Sequence, residues 1–407
     1  MHILFLTQIV PYPPDAGPKV KTWHVLRYLI QAGHRVTLAT FYRDEETPHL
    51  DVLRDLCQEV IPVPIRRSRL ADMRYLLKSN FTGRPFLVER DDLPAMRQAV
   101  QQIVVRGGVD AIHADQLTMA QFAFPPADGR PWPMTVFDAH NAVWTIVQRG
   151  RESAFAPLKP ALSLEATRIR RHEGEILTRF DHVLAVSEVD KHALLEALPN
   201  ETPKSPLGEK ITVIPIAVDT DELQPVQRKP GSRNIFTMGT LHYPPNADGI
   251  RWFAREVFPL VRKKIPEATL TIAGKNPPAD FLQMAAKNPG VITVTGYVPD
   301  LKPYFERAAM LVVPVRTGGG IRVRILEAFA RAMPVVTTTV GLEGIAARPG
   351  ADVLVEDDAQ SFTEAVTTLM NDPALQNQLA ENGRRLAEEK YDWQAVLKAM
   401  EQVYPRA

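Results

Sequence analysis

The sequence predicts an α/β protein made of two doubly wound, Rossmann-like domains, each built on a parallel sheet. The chain has 407 residues, which is too many for one ordinary core and suits two. Short apolar strands alternate with amphipathic helices in two successive series, and this alternation is typical of parallel sheets covered on both faces. A polar, proline-bearing region over 199–232 separates the series. We expect domains at 1–205 and 206–390 facing across a cleft, with a terminal helix over 391–407 crossing back to the first domain.

The elements follow in chain order. The first series predicts strands at 3–7, 35–41, 61–65, 111–114, 135–138 and 183–187, with helices between them such as 19–32. The separating region contains one apolar strand, 211–216. The second series predicts strands at 235–239, 269–273, 292–295, 310–315, 335–338 and 353–355, and helices at 247–264, 301–308, 321–332 and 359–371. Ligands in open α/β sheets bind at the carboxyl ends of the strands, so we expect the functional residues there.

Composition excludes several classes of protein. Apolar residues are 45% and charged residues 23% of the chain, as in soluble globular proteins. The formal net charge of +1 gives no argument for a nucleic-acid partner. The single Cys57 cannot form an internal disulfide, and the N-terminus resembles a first strand rather than a signal peptide. No apolar run reaches the ~18 residues of a membrane-spanning helix. We expect a cytoplasmic protein.

The strongest local motif is a glycine triplet between a strand and a helix. Gly318, Gly319 and Gly320 follow the strand at 310–315, and the predicted helix begins at Ile321. Glycines allow close backbone approach to a ligand, and a helix start offers free N–H groups and a positive dipole end. Two arginines, 322 and 324, fall in the predicted first turn, where the dipole disfavours cations unless an anion lies between them. This motif predicts a diphosphate site, and the carboxylate of residue 327 suits ribose hydroxyls. The alternative is a flexible turn before a solvated helix.

The segment over 318–336 resembles the donor-binding motif of glycosyltransferase family 4, whose members are retaining enzymes of the GT-B fold. Further stretches carry the resemblance in the same order, at 12–19, 138–141, 185–188, 239–246, 272–276, 296–300 and 391–393. It implies that Glu327 holds the donor ribose and that the backbone from Gly319 to Ile321 meets the sugar and phosphate; we assign Gly318 to the same donor-binding loop. It also implies that Tyr297 and Val298 flank the nucleobase. The implied partners are a nucleotide-diphospho-sugar and a glycan, lipid-linked or small-molecule acceptor.

Two departures from the family pattern concern the contacts to the donor. Many members carry a second glutamate where this chain has Gly319, so a contact to the sugar is lost. Many also carry an Arg and a Lys in the loop that here runs from Gly239 to residue 246 and contains neither. We expect Gly239 and Thr240 of this loop to bind the donor. We infer that Arg322 and Arg324, helped by Lys275, neutralise the diphosphate.

The first domain contributes two further candidate segments. Asp138 and His140 follow a strand at its carboxyl end, and we assign His140 to a donor-sugar contact and Asp138 to the acceptor side; a purely structural histidine is the alternative. The loop after the first strand offers Gly17 for backbone approach to the donor. It also offers, for the acceptor, Tyr12, Asp15 and Lys19. An ordinary proline-rich turn is the alternative there.

The remaining features concern membranes, metals and rival functions. The basic segment 66–84 has apolar residues at helical spacing, which predicts peripheral contact with an anionic membrane at its inner face, although a solvated helix would show the same pattern. Metal-ligand spacings are not recognisable, and we expect neither a metal nor another cofactor. The rivals to sugar transfer are a nucleotide-sugar epimerase or hydrolase on the same fold and a non-catalytic binding protein of GT-B type.

Overall fold

The computed structural model describes residues 1–15, 17–126, 131–152, 154–199, 202 and 204–405. Ala16, Pro203 and the two terminal residues, which fall in a predicted loop, the predicted linker and the predicted terminal helix, lie outside the described residues. The chain divides into two compact units. The first comprises residues 1–216 and 396–407, and the second comprises residues 217–395.

The first unit contains, within its described residues, a seven-stranded parallel sheet in the order β3-β2-β1-β4-β5-β6-β7. Its strands are β1 (His2–Thr7), β2 (Arg35–Tyr42), β3 (Glu59–Pro64), β4 (Ala111–Asp115), β5 (Met134–Ala139), β6 (His182–Ala185) and β7 (Ile211–Val213). Side chains of the central strands are almost fully buried on both faces, which explains their continuous apolar runs. The strand order reverses between β1 and β4, so the loops after these strands lie next to each other at the carboxyl edge.

Helices and short turns cover this sheet. They are α1 (Gly17–Gln31), α2 (Leu50–Leu56), α3 (Arg69–Thr82), α4 (Phe86–Asp91), α5 (Pro94–Arg106), α6 (Leu117–Ala120), α7 (Val143–Glu152), α8 (Lys159–Arg179), α9 (Glu188–Glu196) and α10 (Lys204–Glu209), with 3-10 turns at Asp44–His49 and Ala156–Leu158. The end of the chain also packs here, because the hydroxyl of Tyr404 lies 2.9 Å from Nδ1 of His113.

The second unit contains, in the part of the chain that is described, a six-stranded parallel sheet in the order β10-β9-β8-β11-β12-β13. Its strands are β8 (Asn234–Met238), β9 (Thr269–Ala273), β10 (Ile292–Gly296), β11 (Met310–Val313), β12 (Val335–Thr337) and β13 (Leu354–Val355). Its helices are α11 (Pro244–Trp252), α12 (Phe258–Lys264), α13 (Ala279–Lys287), α14 (Lys302–Arg307), α15 (Val323–Ala330), α16 (Thr339–Leu342), α17 (Ala359–Asn371) and α18 (Pro373–Lys390). A π-helical turn, Phe253–Val257, joins α11 to α12. Helix α19 (Trp393–Leu397) crosses the boundary between the units, and the 3-10 turn Lys398–Gln402 belongs to the first unit.

The doubly wound α/β prediction is confirmed, and the boundaries differ in three places. Strand β7 pairs with β6 and completes the first sheet, so the division lies after residue 216 rather than after 205. Residues 391–395 belong to the second unit, where Val218 pairs with Asp392. The glycine-loop helix begins at Val323 rather than at Ile321, because Arg322 adopts non-helical backbone angles (φ −86°, ψ 81°).

Candidate active site

The loops of the second unit that carry the predicted donor residues follow four neighbouring strands. Tyr297 follows β10, Lys275 follows β9, Gly239 follows β8 and the glycine triplet follows β11. Because these strands are parallel and adjacent, their carboxyl ends bring the four loops to one edge of the sheet. The order reverses between β8 and β11, and the Gly239 loop and the glycine triplet lie on the two sides of that reversal.

The glycine triplet has the backbone that the sequence analysis requires. Gly318 and Gly320 have φ of +96° and +83°, a region that side chains other than glycine rarely adopt. A Cβ on Gly318 would lie 3.3 Å from Pro245, so this loop also approaches the first turn of α11, which follows the loop after β8. Two residues separate the triplet from α15, and the amides of Val323 and Ile325 in its first turn donate to the carbonyl oxygens of Ile321 and Arg322.

Arg322 has a different position from the one expected. Its Nη1 donates a 2.5 Å hydrogen bond to the carbonyl oxygen of Gly319 and a second one to that of Gly320. Arg322 is the last residue before α15, and its non-helical backbone turns the guanidinium back over the glycine triplet. Its contact with a phosphate remains a prediction, and any such contact shares the guanidinium with the loop carbonyls.

Arg324 reaches the loop in which the sequence lacks a basic residue. Its Nη2 donates a 2.9 Å hydrogen bond to Oδ1 of Asn246, and a Cβ on Gly239 would lie 2.8 Å from its Nη1. Among the described residues, the buried Nε has no hydrogen-bond acceptor. Burial, and then the neighbouring charge of Arg322, lower the pKa of Arg324 to about 9. The second unit therefore holds a desolvated cation beside the Gly239 loop, supplied by a helix about eighty positions away in sequence.

Glu327 lies one turn after Arg324 on the same helix. Burial raises the pKa of its carboxyl, while the positive charges of Arg331 and Arg324 act in the opposite direction. A partly buried carboxylate held between two arginines can accept hydrogen bonds from neutral hydroxyls without adding net negative charge to the site. This arrangement suits a ribose next to a diphosphate.

Lys275 and Tyr297 contact each other at the ends of β9 and β10. The Lys275 ammonium lies 4.5 Å from the centroid of the Tyr297 ring, and 54% of the Tyr297 surface is exposed. Close approach of the loops after β8 and β9 requires Gly274, because a Cβ there would be 1.8 Å from the carbonyl oxygen of Gly239. Val298 packs on the apolar core instead, and Gly239 itself donates its amide to Ala273.

The first unit gathers a buried polar cluster at the carboxyl ends of β4 and β5. Asp138 is fully buried and forms an ion pair with Lys21 of α1. Burial by itself raises the pKa of Asp138, but the Lys21 ammonium and the histidines at 113 and 140 outweigh it and hold that pKa far below its usual value. The expectation that Asp138 faces an acceptor is corrected, because Lys21 turns the carboxylate into the interior.

His140 lies at the same edge and is held by a second carboxylate. Its Nε2 lies 2.8 Å from Oδ1 of Asp115, and Oδ2 of Asp115 accepts a 2.9 Å hydrogen bond from the Thr22 hydroxyl. Among the described residues, Nδ1 of His140 has no hydrogen-bond partner. Gln116, next to Asp115, has a φ of +73° and donates its amide to the carbonyl oxygen of Asp138. Such strain in a non-glycine residue is typical of functional sites.

Sequence reasoning missed Lys21 and the grouping of His113, Asp115 and Asp138. These three residues offer potential metal ligands that all lie within 4.8 Å of one another. They come from two strands, so no spacing along the chain indicates them. Lys21 already supplies a positive charge to Asp138, and we keep the expectation of a metal-free site as a prediction.

The loop after β1 contains the remaining predicted residues. Gly17 is the first residue of α1. Lys19 is within 3.6 Å of Asp15 and 3.9 Å of Glu46, so its charge is shared between two carboxylates. The Tyr12 ring packs on Trp23 with 5.1 Å between centroids. The structure therefore places all of these residues near the carboxyl edge, with most of their polar groups bonded within the unit.

Two parallel-sheet units of this kind, with a glycine loop and a helix start at the strand reversal of the second, define the GT-B class of glycosyltransferases. Two family models match the chain, "Glycosyl transferase 4-like domain" over residues 16–203 and "Glycosyl transferases group 1" over residues 232–372. The chain belongs to the family 4 type of GT-B glycosyltransferases, and it is a sugar-transferring enzyme.

Relatives and solved structures agree with this assignment. Glycogen synthase of Mycobacterium tuberculosis is 28% identical over 294 residues, which are 68% of this chain and 69% of that protein. Sucrose-phosphate synthase from Thermosynechococcus elongatus has the same fold, with a TM-score of 0.71, 18% identity and coverage of 99% of this chain and 98% of that one. Anabaena Alr3699/HepE in complex with UDP-glucose gives a TM-score of 0.68, 14% identity and coverage of 99% of both chains.

None of the helices in the described ranges combines the length and the apolar character that crossing a bilayer requires.

Proposed function

We propose that this enzyme takes its sugar from a nucleotide-diphospho-sugar, which the second unit binds, and transfers it with retention of anomeric configuration to a carbohydrate-containing acceptor on the first unit. One observation carries the donor assignment. Arg324 is desolvated, its side-chain hydrogen bond among the described residues goes to the amide of Asn246, and it lies against the Gly239 loop at the reversal of strand order. A diphosphate there would meet a cation, a glycine loop and a helix start together.

The chemistry follows from where negative charge develops. When the bond between the anomeric carbon and the diphosphate breaks, charge grows on the departing phosphate oxygen. The Arg324 guanidinium is a fixed donor in a partly desolvated site, beside a helix start whose Val323 and Ile325 amides already bond the carbonyl oxygens of Ile321 and Arg322. A donor of this kind stabilises a developing oxyanion more strongly than water does. Arg322 contributes chiefly by holding the glycine loop in shape. The leaving group thus needs no proton from the protein at this step.

Nucleotide selectivity rests on two groups in this proposal. Glu327 accepts hydrogen bonds from the ribose hydroxyls, and the exposed ring of Tyr297, with Lys275 above it, flanks the base. HepE is described as a complex with UDP-glucose, which supports a sugar nucleotide as the donor class. Retention is proposed from the resemblance to family 4, and the coupling constant of the anomeric proton in the product tests it.

The test of donor binding uses Glu327→Ala and a panel of nucleoside diphosphates. A hydrogen bond to a charged group contributes about 1.5–3 kcal/mol, so the wild type should prefer a ribonucleotide over its 2′- or 3′-deoxy analogue by roughly 10- to 150-fold. Glu327→Ala should remove that preference in titration calorimetry. Glu364→Ala, an exposed glutamate on α17, is the matched control and should keep it. Equal discrimination in wild type and Glu327→Ala removes Glu327 from the ribose role.

Peripheral membrane contact through the basic segment 66–84 is part of the same proposal, since an acceptor carried by a lipid would be met at a bilayer surface.

A further inference from the structure

Helix α3 of the first unit exposes an apolar stripe to solvent. Leu70, Met73, Leu77 and Phe81 are each more than half exposed, and Phe81 is 90% exposed. At 100° per residue these four side chains fall within an arc of about 80°. The opposite side of the helix carries the buried Ser79, which bonds the carbonyl oxygen of residue 84. The stripe therefore points away from the core and lacks a covering element among the described residues.

Positive charge accompanies the stripe. The ion pairs of this segment use Arg67 with Asp91, and Lys78 and Arg84 with Glu89. They leave out three exposed arginines, Arg66, Arg69 and Arg74. Asp72 is the one acidic residue between positions 66 and 84. An apolar stripe bordered by cations has the chemistry of a surface helix at an anionic bilayer, where the stripe enters the acyl region and the arginines meet headgroups.

The segment is attached to the carboxyl edge of the first sheet. Arg67, just before α3, donates a 2.5 Å hydrogen bond to Oδ1 of the buried Asp91. Oδ2 of the same carboxylate accepts a 2.6 Å hydrogen bond from Gln8, the residue that follows β1. A membrane held by α3 would thus lie close to the loops of the acceptor half rather than at a remote surface.

Helix α8 contacts α3 through two arginines. Arg168 donates hydrogen bonds to Ser79 and Asn80, and Arg171 donates one to the carbonyl oxygen of Gly83, so the middle of α8 is bonded to the end of α3. Phe155 and Leu158, which precede α8, are 75% and 57% exposed. The first unit therefore exposes further apolar side chains next to an element that is bonded to α3.

We propose that the apolar-basic face, defined by Leu70, Met73, Leu77 and Phe81 with Arg66, Arg69 and Arg74, docks on an anionic lipid bilayer and that the carbohydrate acceptor is anchored in that bilayer by a lipid. Both statements rest on the proposed function and deepen it, because they name the residues of the docking face and the lipid anchor of the acceptor. Charge complementarity selects the occupant, because three cations beside a stripe of this kind match anionic headgroups over acyl chains.

The experiment measures binding of the purified full chain to vesicles by co-sedimentation. Vesicles of phosphatidylcholine with a third phosphatidylglycerol should bind the protein, and vesicles of phosphatidylcholine alone should bind it far more weakly. Each arginine near an anionic surface changes partitioning about five-fold, so Arg66→Gln with Arg69→Gln and Arg74→Gln should weaken binding roughly 100-fold. Leu77→Gln with Phe81→Gln should weaken it at every lipid composition.

The matched control is Lys263→Gln with Lys264→Gln and Lys287→Gln, which removes the same charge from exposed positions of the second unit. It should bind vesicles as the wild type does. Equal vesicle binding by the arginine triple variant and the wild type overturns the docking inference. Sedimentation velocity tests whether the face instead binds a second copy of this chain. A concentration-dependent dimer that Leu77→Gln with Phe81→Gln abolishes, in a wild type that does not bind vesicles, overturns the docking inference.

Donor binding separates this inference from the proposed function. Titration with nucleoside diphosphates should give the same affinity for both face variants and the wild type, since none of the changed residues belongs to the donor site. Loss of vesicle binding with intact nucleotide binding supports docking alone. Transfer to a lipid-linked acceptor in vesicles should then fall while transfer to a water-soluble analogue persists; an equal fall in both removes the acceptor part.

Discussion

Replacing Arg324 by methionine should weaken donor binding while leaving the unliganded protein as stable as before or more stable. A pKa of about 9 in place of 12.5 corresponds to roughly 5 kcal/mol of unfavourable free energy for the charged form. The Arg324 residue is only half-buried, which reduces this to a few kcal/mol. Methionine fills similar volume without charge, so the free energy of unfolding should not fall. The lost hydrogen bond to Asn246 costs about 1 kcal/mol in the opposite direction.

The effect on nucleotide affinity has the opposite sign. Nη2 of Arg324 is bonded to Asn246, which leaves Nε and Nη1 for one or two charge-assisted hydrogen bonds to phosphate. Their loss should cost about 2–4 kcal/mol, or roughly 30- to 1000-fold in Kd. Titration calorimetry with nucleoside diphosphates at neutral pH, together with denaturant unfolding, measures both quantities.

Two variants sharpen the interpretation. Arg324→Lys keeps the charge without the fork geometry and should give an intermediate affinity. Arg262→Met removes an arginine of the same unit that bonds the carbonyl oxygen of Pro266, and it should leave affinity unchanged. A Kd for Arg324→Met within three-fold of the wild type, with a lowered free energy of unfolding, would refute the reasoning, because Arg324 would then be a structural residue.

Three further predictions concern the first unit and the metal. Asp115→Asn should lower kcat roughly 10- to 100-fold and change the pH profile of kcat/KM, because the 2.8 Å contact that orients His140 loses its charge. The control Asp110→Asn, at an exposed turn, should change neither quantity. An unchanged pH profile in Asp115→Asn would show that Asp115 has a purely structural role. Burial raises the pKa of Glu173 to about 8, so the contribution of this carboxyl to stability is present below pH ~4.5 and is lost as pH rises through 8. The free energy of unfolding should therefore fall by at most about 4 kcal/mol between pH 5 and 8. Denaturant titrations of Glu173→Gln should show a smaller dependence of that free energy on pH. Activity should survive a chelator in a sugar-transfer assay, and complete loss that added metal reverses would contradict the metal-free account.

The strands were predictable because burial on both faces of a parallel sheet requires apolar runs. β9 occupies 269–273 as expected, and β1 and β8 differ from expectation by a residue at their ends. Element ends were less predictable. Helix α15 starts two residues later than expected because Arg322 turns back to bond glycine carbonyls, and nothing in the local periodicity indicates that turn.

The sequence by itself determined the two α/β units, the glycine loop before a helix and the resemblance to family 4, since each depends on residues close together in the chain. Only the tertiary structure decided which charges meet. It places Arg324 against Gly239 and Asn246, and it encloses Asp138 with Lys21, more than a hundred positions apart. Periodicity determines which face of an element is buried, whereas the partner of a buried charge depends on how distant elements pack. A buried charge requires such a partner because its desolvation costs free energy.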